Sequence, residues 1–311
     1  MYSTKKIATV AVFFALIAFC FTPFFNPPVA LLSGILFSIM LTHPFPVIGR
    51  KAITILLQLS IIGLGFGINL FDAAKVGMDG LWLTILSISV TIVAGLAAGK
   101  WLGLQKNITL LISMGTAICG GSAIAALSPI LEAKEEDMSI SLGTIFILNA
   151  VALFIFPLIG HWINLDQHQF GIWSAIAIHD TSSVVGAAQT YGNEALQVAT
   201  TVKLSRALWI VPIALITAIV FKKNKSVKFP YFILLFVIAM VASTFVSQIQ
   251  SIGEWIVPIS KKGMTVTLFL IGAGLNFSSV KKVGVKPLLL GIGLWILIAA
   301  GSLAFILSPF F

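Results

Sequence analysis

The chain has 311 residues, of which 59% are hydrophobic and only 9% are charged, and its formal net charge is +9. Because soluble domains carry roughly 25% charged residues, this composition excludes a soluble globule and predicts an all-α polytopic membrane protein. A β-barrel would show short alternating segments instead. The basic residues lie in short loops between apolar segments, so they indicate membrane orientation and not a nucleic-acid-binding patch.

Apolar segments of roughly 20 residues predict about eleven transmembrane helices. The first follows Lys5 and Lys6 but lacks a signal-peptidase site, so we expect an uncleaved first helix. The predicted spans are 7–25, 28–42, 52–71, 80–99, 108–131, 139–160, 171–190, 198–221, 230–248, 255–277 and 287–308.

Loop charges predict the orientation of these spans. With the N-terminus inside, most loop cations fall on the cytoplasmic side: Lys5, Lys6, Arg50, Lys51, Lys100, Lys106, Lys222, Lys223, Lys225, Lys228, Lys281, Lys282 and Lys286. The other side holds Lys75 and Lys134, with four more cations near or within span starts. This bias predicts a cytoplasmic N-terminus and an external C-terminus.

An internal repeat joins the third and tenth spans. Residues 64–77 (LGFGINLFDAAKVG) align without gaps on residues 271–284 (IGAGLNFSSVKKVG), which places Asn69 opposite Asn276. The two spans run in opposite directions, and inverted repeats are typical of secondary transporters. We therefore expect one transporter domain over residues 1–311, with repeat-related segments around 52–100 and 255–308. Chance similarity between glycine-rich helices is the alternative. The two asparagines would line the path or, the interpretation we favour, cap helix ends.

The fifth span is interrupted by the segment GTAICGGSAIAALSP, residues 115–129. Glycines lower the energetic cost of leaving helical geometry, and Ser122 is expected to cap a second half-helix. The N–H groups that follow would give Gly120, Gly121 and Ser122 an anion-binding character. Close packing of helices through small residues is the alternative.

The seventh span is interrupted by AIHDTSSVVGAA, residues 177–188. An ionised aspartate near a bilayer centre costs roughly 3 kcal/mol, so Asp180 needs partners, water or a ligand. As an N-cap, it would begin a half-helix whose Thr181, Ser182 and Ser183 present hydroxyls to a solute. His179 and Asp180 would carry a coupling ion. A purely structural polar cluster is the alternative.

Lys203 and Arg206 lie one turn apart in the eighth predicted span. They would neutralise a bound oxyanion or pair with Asp180 or Glu194. The alternative is that both side chains extend to the membrane interface. The two interrupted spans, fifth and seventh, are parallel by this count, so either the count is locally wrong or the repeat is permuted.

The two interrupted motifs, with GLGFGINL upstream and GAGLNFSSV near the end, resemble the YeiH family. The resemblance covers roughly the third to the eleventh span. That family is described as candidate sulfate exporters and is grouped with bile acid, arsenite and riboflavin transporters. The resemblance implies an inner-membrane transporter with inverted repeats and two crossing broken helices.

We therefore expect a secondary transporter of a small anionic solute, sulfate or a related oxyanion or sulfonate, that works by alternating access. The expected partners are the lipid bilayer and the solute, and a homo-oligomer is compatible with the sequence. No nucleotide-binding motif is present and no metal ligands are spaced for coordination, so no cofactor is expected beyond a coupling H⁺ or Na⁺. A passive channel, or an intramembrane enzyme that uses His179, Asp180 and Ser182, remains open.

Overall fold

The computed structural model describes residues 4–22, 24–41, 43–79, 81–221, 231–274 and 283–308. Within these ranges the chain forms helices joined by short turns. The helices are α1 Thr4–Phe19, α2 Pro27–Met40, α3 Pro46–Gly65, α4 Leu70–Asp79, α5 Leu81–Trp101, α6 Lys106–Ala117, α7 Gly121–Leu127, α8 Glu135–Trp162, α9 Gln167–Ala177, α10 Thr181–Tyr191, α11 Asn193–Leu208, α12 Ile210–Val220, α13 Tyr231–Phe245, α14 Ser247–Ala273 and α15 Val285–Ile306.

This helical architecture confirms the predicted fold class. Within the described ranges, five helical segments are long and apolar enough to cross a membrane: Trp82–Trp101, Glu135–Trp162, Asn193–Thr217, Ser247–Ala273 and Val285–Ile306. Four shorter apolar helices lie in α1, α2, α3 and α13. Each of the eleven predicted spans overlaps at least one helix, and the fifth and seventh are each divided in two, as α6–α7 and α9–α10.

Helix α4 was not predicted as a separate element. It begins directly after Asn69, whose side-chain Oδ1 accepts a hydrogen bond from Phe71 N at 2.8 Å. The N–H of Leu70 donates to Thr244 Oγ1 of α13 at 2.9 Å. The Asn69 side chain therefore satisfies one main-chain donor at the helix start, as the capping interpretation expects. Its repeat counterpart Asn276 lies outside the described residues.

Glycines of the repeat allow helices to cross at close range. A Cβ at Gly65 of α3 would lie 2.7 Å from the carbonyl oxygen of Phe236 in α13. At the matching position of α14, a Cβ at Gly272 would lie 2.8 Å from Ile35 N of α2. The two repeat helices thus use equivalent glycines to contact the main chains of α13 and α2. The second repeat segment is described only to residue 274 and from residue 283.

Candidate functional site

The first interruption lies between α6 and α7, and Gly120 determines its shape. Gly120 has φ +63°, a left-handed conformation that side chains other than glycine rarely adopt. A Cβ there would also lie 3.1 Å from Ile145 Cγ2 and 3.4 Å from the carbonyl carbon of His179. The backbone conformation therefore favours glycine at this position, and the close Ile145 side chain leaves little room for a Cβ.

The second interruption lies between α9 and α10, where Ile178 and Asp180 have extended backbones. Asp180 is the N-cap of α10, as predicted, and its Oδ2 accepts a hydrogen bond from Ser183 N at 3.2 Å. Since Gly120 contacts the main chain of His179, the two interruptions meet. Both predicted interruptions are therefore present in the fold, and they lie against each other.

Asn149 of α8 holds the second interruption in place, a role that the sequence reasoning missed. Its Oδ1 accepts hydrogen bonds from His179 N at 3.1 Å and from Asp180 N at 3.3 Å. Without this acceptor both N–H groups would be unpaired between the two half-helices. The available signal was a single asparagine in the otherwise apolar stretch 145–160 of α8.

Lys203 of α11 lies at the C-terminal end of α9. Its Nζ donates to Ile178 O at 2.7 Å and to Ala175 O at 3.2 Å, and the side chain is fully buried. The last carbonyls of a helix carry a partial negative charge, so an ammonium group is stabilised there. Lys203 therefore does not extend to a membrane interface.

Arg206, one turn further along α11, binds the C-terminal end of α6 in the same way. Its Nη2 donates to Ala117 O at 2.6 Å and its Nη1 to Ser87 Oγ of α5 at 2.7 Å. Arg206 is also fully buried, whereas Glu194 lies exposed at the start of α11. The single helix α11 thus places one cation at the C-terminal end of α6 and one at the C-terminal end of α9, the first half-helices of the two interrupted spans. Sequence reasoning found both cations but not Ser87.

The carboxylate of Asp180 collects the hydroxyls that follow it. Its Oδ2 accepts hydrogen bonds from Ser182 Oγ and, at 3.4 Å, from Ser183 Oγ. Ser182 and Ser183 are buried, while Asp180 and Thr181 are partly exposed. From the sequence, we expected the hydroxyls to bind the solute and the carboxylate to bind the coupling ion. In the structure they form one hydrogen-bonded unit, because an N-cap side chain reaches residues two and three positions ahead.

Ser122 does not have the capping role that was expected. The N-cap of α7 is Gly120, the helix begins at Gly121, and Ser122 lies inside it with an exposed side chain. The prediction was wrong because the left-handed Gly120 completes the turn two residues earlier. Among the described residues Ser122 forms no hydrogen bond with the hydroxyls of α10.

Several buried polar atoms around the two interruptions have no hydrogen-bond partner within the described part of the chain. They are both ring nitrogens of His179, Nδ2 of Asn149, Nε of Arg206 and Oγ1 of Thr116. Buried polar groups are normally paired, so such a concentration indicates a place where polar ligand atoms can bind. The His179 ring is not hydrogen-bonded to Ser182, whose hydroxyl donates to Asp180.

Comparison with known proteins identifies the family. A family model described as conserved hypothetical protein 698 matches residues 3–291. A UPF0324 membrane protein of Porphyromonas gingivalis is 51% identical over 292 residues, covering 92% of this chain and 88% of that protein. A UPF0324 membrane protein of Bacteroides thetaiotaomicron is 50% identical, covering 90% and 86%. The UPF0324 membrane protein VP0936 of Vibrio parahaemolyticus is 49% identical, covering 93% of this chain and 95% of that protein.

No solved structure matches the chain. The chain therefore belongs to the conserved hypothetical protein 698 family of UPF0324 membrane proteins, the YeiH-like family that its two interrupted motifs resemble.

Proposed function

We propose that this protein is a secondary transporter of a small anionic solute, which binds where the two interrupted helices meet. The observation that carries the proposal is the pair of fully buried cations, Lys203 and Arg206, fixed at that meeting point. Interrupted transmembrane helices that expose main-chain groups near the membrane midplane are the usual solute sites of secondary transporters.

The charges around the site favour an anion. Lys203 and Arg206 contribute two positive charges and Asp180 one negative charge. The C-terminal ends of α6 and α9 add about −0.5 each, and the N-terminal ends of α7 and α10 add about +0.5 each, so the helix ends cancel. The remaining charge is about +1 with Asp180 ionised and about +2 with Asp180 protonated. Since an unbalanced charge is costly inside a membrane, a bound anion stabilises this arrangement.

The hydroxyls of α10 provide a way to couple the anion to a proton. While Asp180 is ionised, the hydroxyls of Ser182 and Ser183 donate to its carboxylate. When Asp180 takes up a proton, these hydroxyls are released to donate to an oxyanion, together with Thr181 and the N–H groups of the first turn. Protonation therefore adds donors and positive charge at the same time. A Na⁺ ion bound to the ionised cluster is the other coupling that this chemistry allows.

The solute class that fits best is sulfate or a related oxyanion or sulfonate. Such an anion accepts hydrogen bonds on several oxygens, and the main-chain N–H groups near Gly120, Gly121 and Ser122 would contact its other side. A passive channel and an enzyme remain the competing classes. The absence of a hydrogen bond between the His179 ring and Ser182 among the described residues favours transport over nucleophilic catalysis. We place the protein in the inner membrane with its N-terminus in the cytoplasm.

The test is uptake of radiolabelled inorganic sulfate by proteoliposomes, with sulfite and a short alkyl sulfonate as competitors. We expect saturable uptake that increases under an imposed pH gradient or, if Na⁺ is the coupling ion, under a Na⁺ gradient. Uptake of none of these anions would contradict the proposed solute class. Anion currents that require no coupling ion would indicate a channel, and conversion of the anion without net uptake would indicate an enzyme.

A further inference from the structure

A polar cavity lies between α3, α11 and α14. Its volume is about 250 Å³, and its polar wall consists of Asn193, Gln197, Thr200 and Lys261. One water molecule needs about 10–15 Å³ of such space, so the cavity has room for several waters. Drug-sized ligands use pockets of about 300–1,000 Å³, so this cavity suits a small hydrated ion.

The charge of this cavity comes from Lys261 of α14, the one ionisable residue among those that line it. Its Nζ donates to Asn193 Oδ1 of α11 at 2.8 Å. The nearest acidic positions along the two helices, Glu194 and Glu254, are exposed and are not part of the lining. A cavity with a cation and no carboxylate in its wall attracts anions.

One face of α11 lines the cavity, and the same helix carries the buried cations further along. Asn193, Leu196, Gln197 and Thr200 recur at helical spacing on one face of α11, and all four line the cavity. Thr200 is fully buried, and Lys203 follows it by three residues, about 4.5 Å along the axis. The deepest part of the cavity therefore lies one turn from the cation that is bonded to the end of α9.

We propose that this cavity is an anion vestibule, in which Lys261 collects a small anion before it reaches Lys203 and Arg206. The destination of the anion rests on the proposed function, whereas the positive charge and the water access of the vestibule do not. Hydrogen bonds from Lys261 to Asn193 and from Gln197 Nε2 to Gly67 O, at 2.9 Å, join α11 to the repeat helices that form the other walls.

The first experiment measures access to the floor of the vestibule. Thr200→Cys is introduced into a Cys20→Ser, Cys119→Ser background and treated with an anionic sulfonate thiosulfonate reagent or its cationic trimethylammonium analogue. Thr217→Cys is the matched control, since Thr217 is also buried but does not line the cavity. We expect the cysteine at position 200 to react at least tenfold faster than the one at position 217. Equal rates would overturn the proposal.

The second experiment tests the role of Lys261. Lys261→Gln should lower the ratio of anionic to cationic reaction rates at position 200 at least threefold, and Lys261→Arg should preserve it. Lys262→Gln is the control, because this neighbouring lysine faces away and donates to Thr22 O at 2.6 Å. A ratio that changes equally in both Gln variants, or in neither, would contradict the vestibule. The labelling needs no transported substrate, so failure of sulfate uptake alone would refute the proposed function and leave this result standing.

Discussion

At the scale of single residues, local roles such as helix capping could be predicted from the sequence, whereas hydrogen bonds between distant residues could not. Asp180 was expected as an N-cap because an aspartate precedes three hydroxyl residues, and it is one. The role of Asn149 was not predictable, because its acceptor serves N–H groups that are 30 and 31 residues away. Local patterns specify caps, whereas contacts between distant segments depend on the packing of the whole bundle.

Gly120→Ala should destabilise the protein. A left-handed backbone costs a residue with a Cβ about 1–2 kcal/mol, and the added carbon would also lie close to the Ile145 side chain. We expect a lower midpoint in thermal unfolding of the purified protein in detergent. Gly293→Ala is the control, since no atom lies within 4 Å of a Cβ built there and alanine favours its helix. Equal midpoints for the two variants would show that the interruption does not require glycine.

Asp180→Asn should separate coupling from binding. Asparagine is an equally good N-cap, so α10 should begin at the same residue. The amide of asparagine, however, cannot take up the coupling proton. Wild-type sulfate uptake should rise as the pH on the loading side falls, because the proposed coupling proton is then more available. In the variant, sulfate exchange without a gradient should persist, while the response to pH disappears. A variant with a wild-type pH response would place the coupling proton elsewhere.

At the scale of helices, the positions of the interruptions could be predicted, but the hydrogen bonds that hold the half-helix ends could not. Glycines or a charged residue within an apolar span indicate a break, and both predicted breaks are present in the structure. The eighth predicted span has a further boundary at Trp209, which separates α11 from α12. Pro212 explains this boundary, because proline has no N–H to donate to the carbonyl of Leu208, four residues earlier. The bonds from Lys203 and Arg206 to two other helix ends depend on tertiary packing alone.

Asn149→Leu should weaken the link between α8 and the second interruption. The substitution leaves the N–H groups of His179 and Asp180 unpaired, and each buried unpaired group costs about 1–3 kcal/mol. We expect a clear loss of thermal stability together with loss of uptake. Asn107→Leu, at a partly exposed position near the start of α6, should have a much smaller effect. If both variants unfold at the wild-type temperature, Asn149 does not hold the break.

At the scale of the whole molecule, the repeat and the packing support the same architecture. The alignment of the third and tenth spans predicted equivalent roles, and Gly65 and Gly272 each contact the main chain of a neighbouring helix. The two interrupted segments are separated by α8, a single 28-residue helix, so by the predicted span count they are parallel.

Gly272→Ala should disrupt the crossing of α2 and α14. An added Cβ would meet main-chain atoms of Leu31 and Ile35, which cannot rotate away as a side chain can. Overpacking of this kind typically costs about 1–3 kcal/mol. Thermal unfolding should show the loss, whereas Gly301→Ala, with open space around its Cβ, should be neutral or slightly stabilising. The crossing would be looser than described if both alanines were tolerated equally.

The central claim is that buried positive charge on α11 binds the anion, and Lys203→Met tests it most directly. Methionine fills much of the same apolar space but removes the ammonium group that lies 2.7 Å from Ile178 O. The measurement is equilibrium binding of radiolabelled sulfate to purified protein that still unfolds cooperatively, beside the Lys262→Gln control. The account predicts at least a tenfold loss of sulfate affinity in Lys203→Met and wild-type affinity in the control. Wild-type affinity in a folded Lys203→Met protein would contradict it.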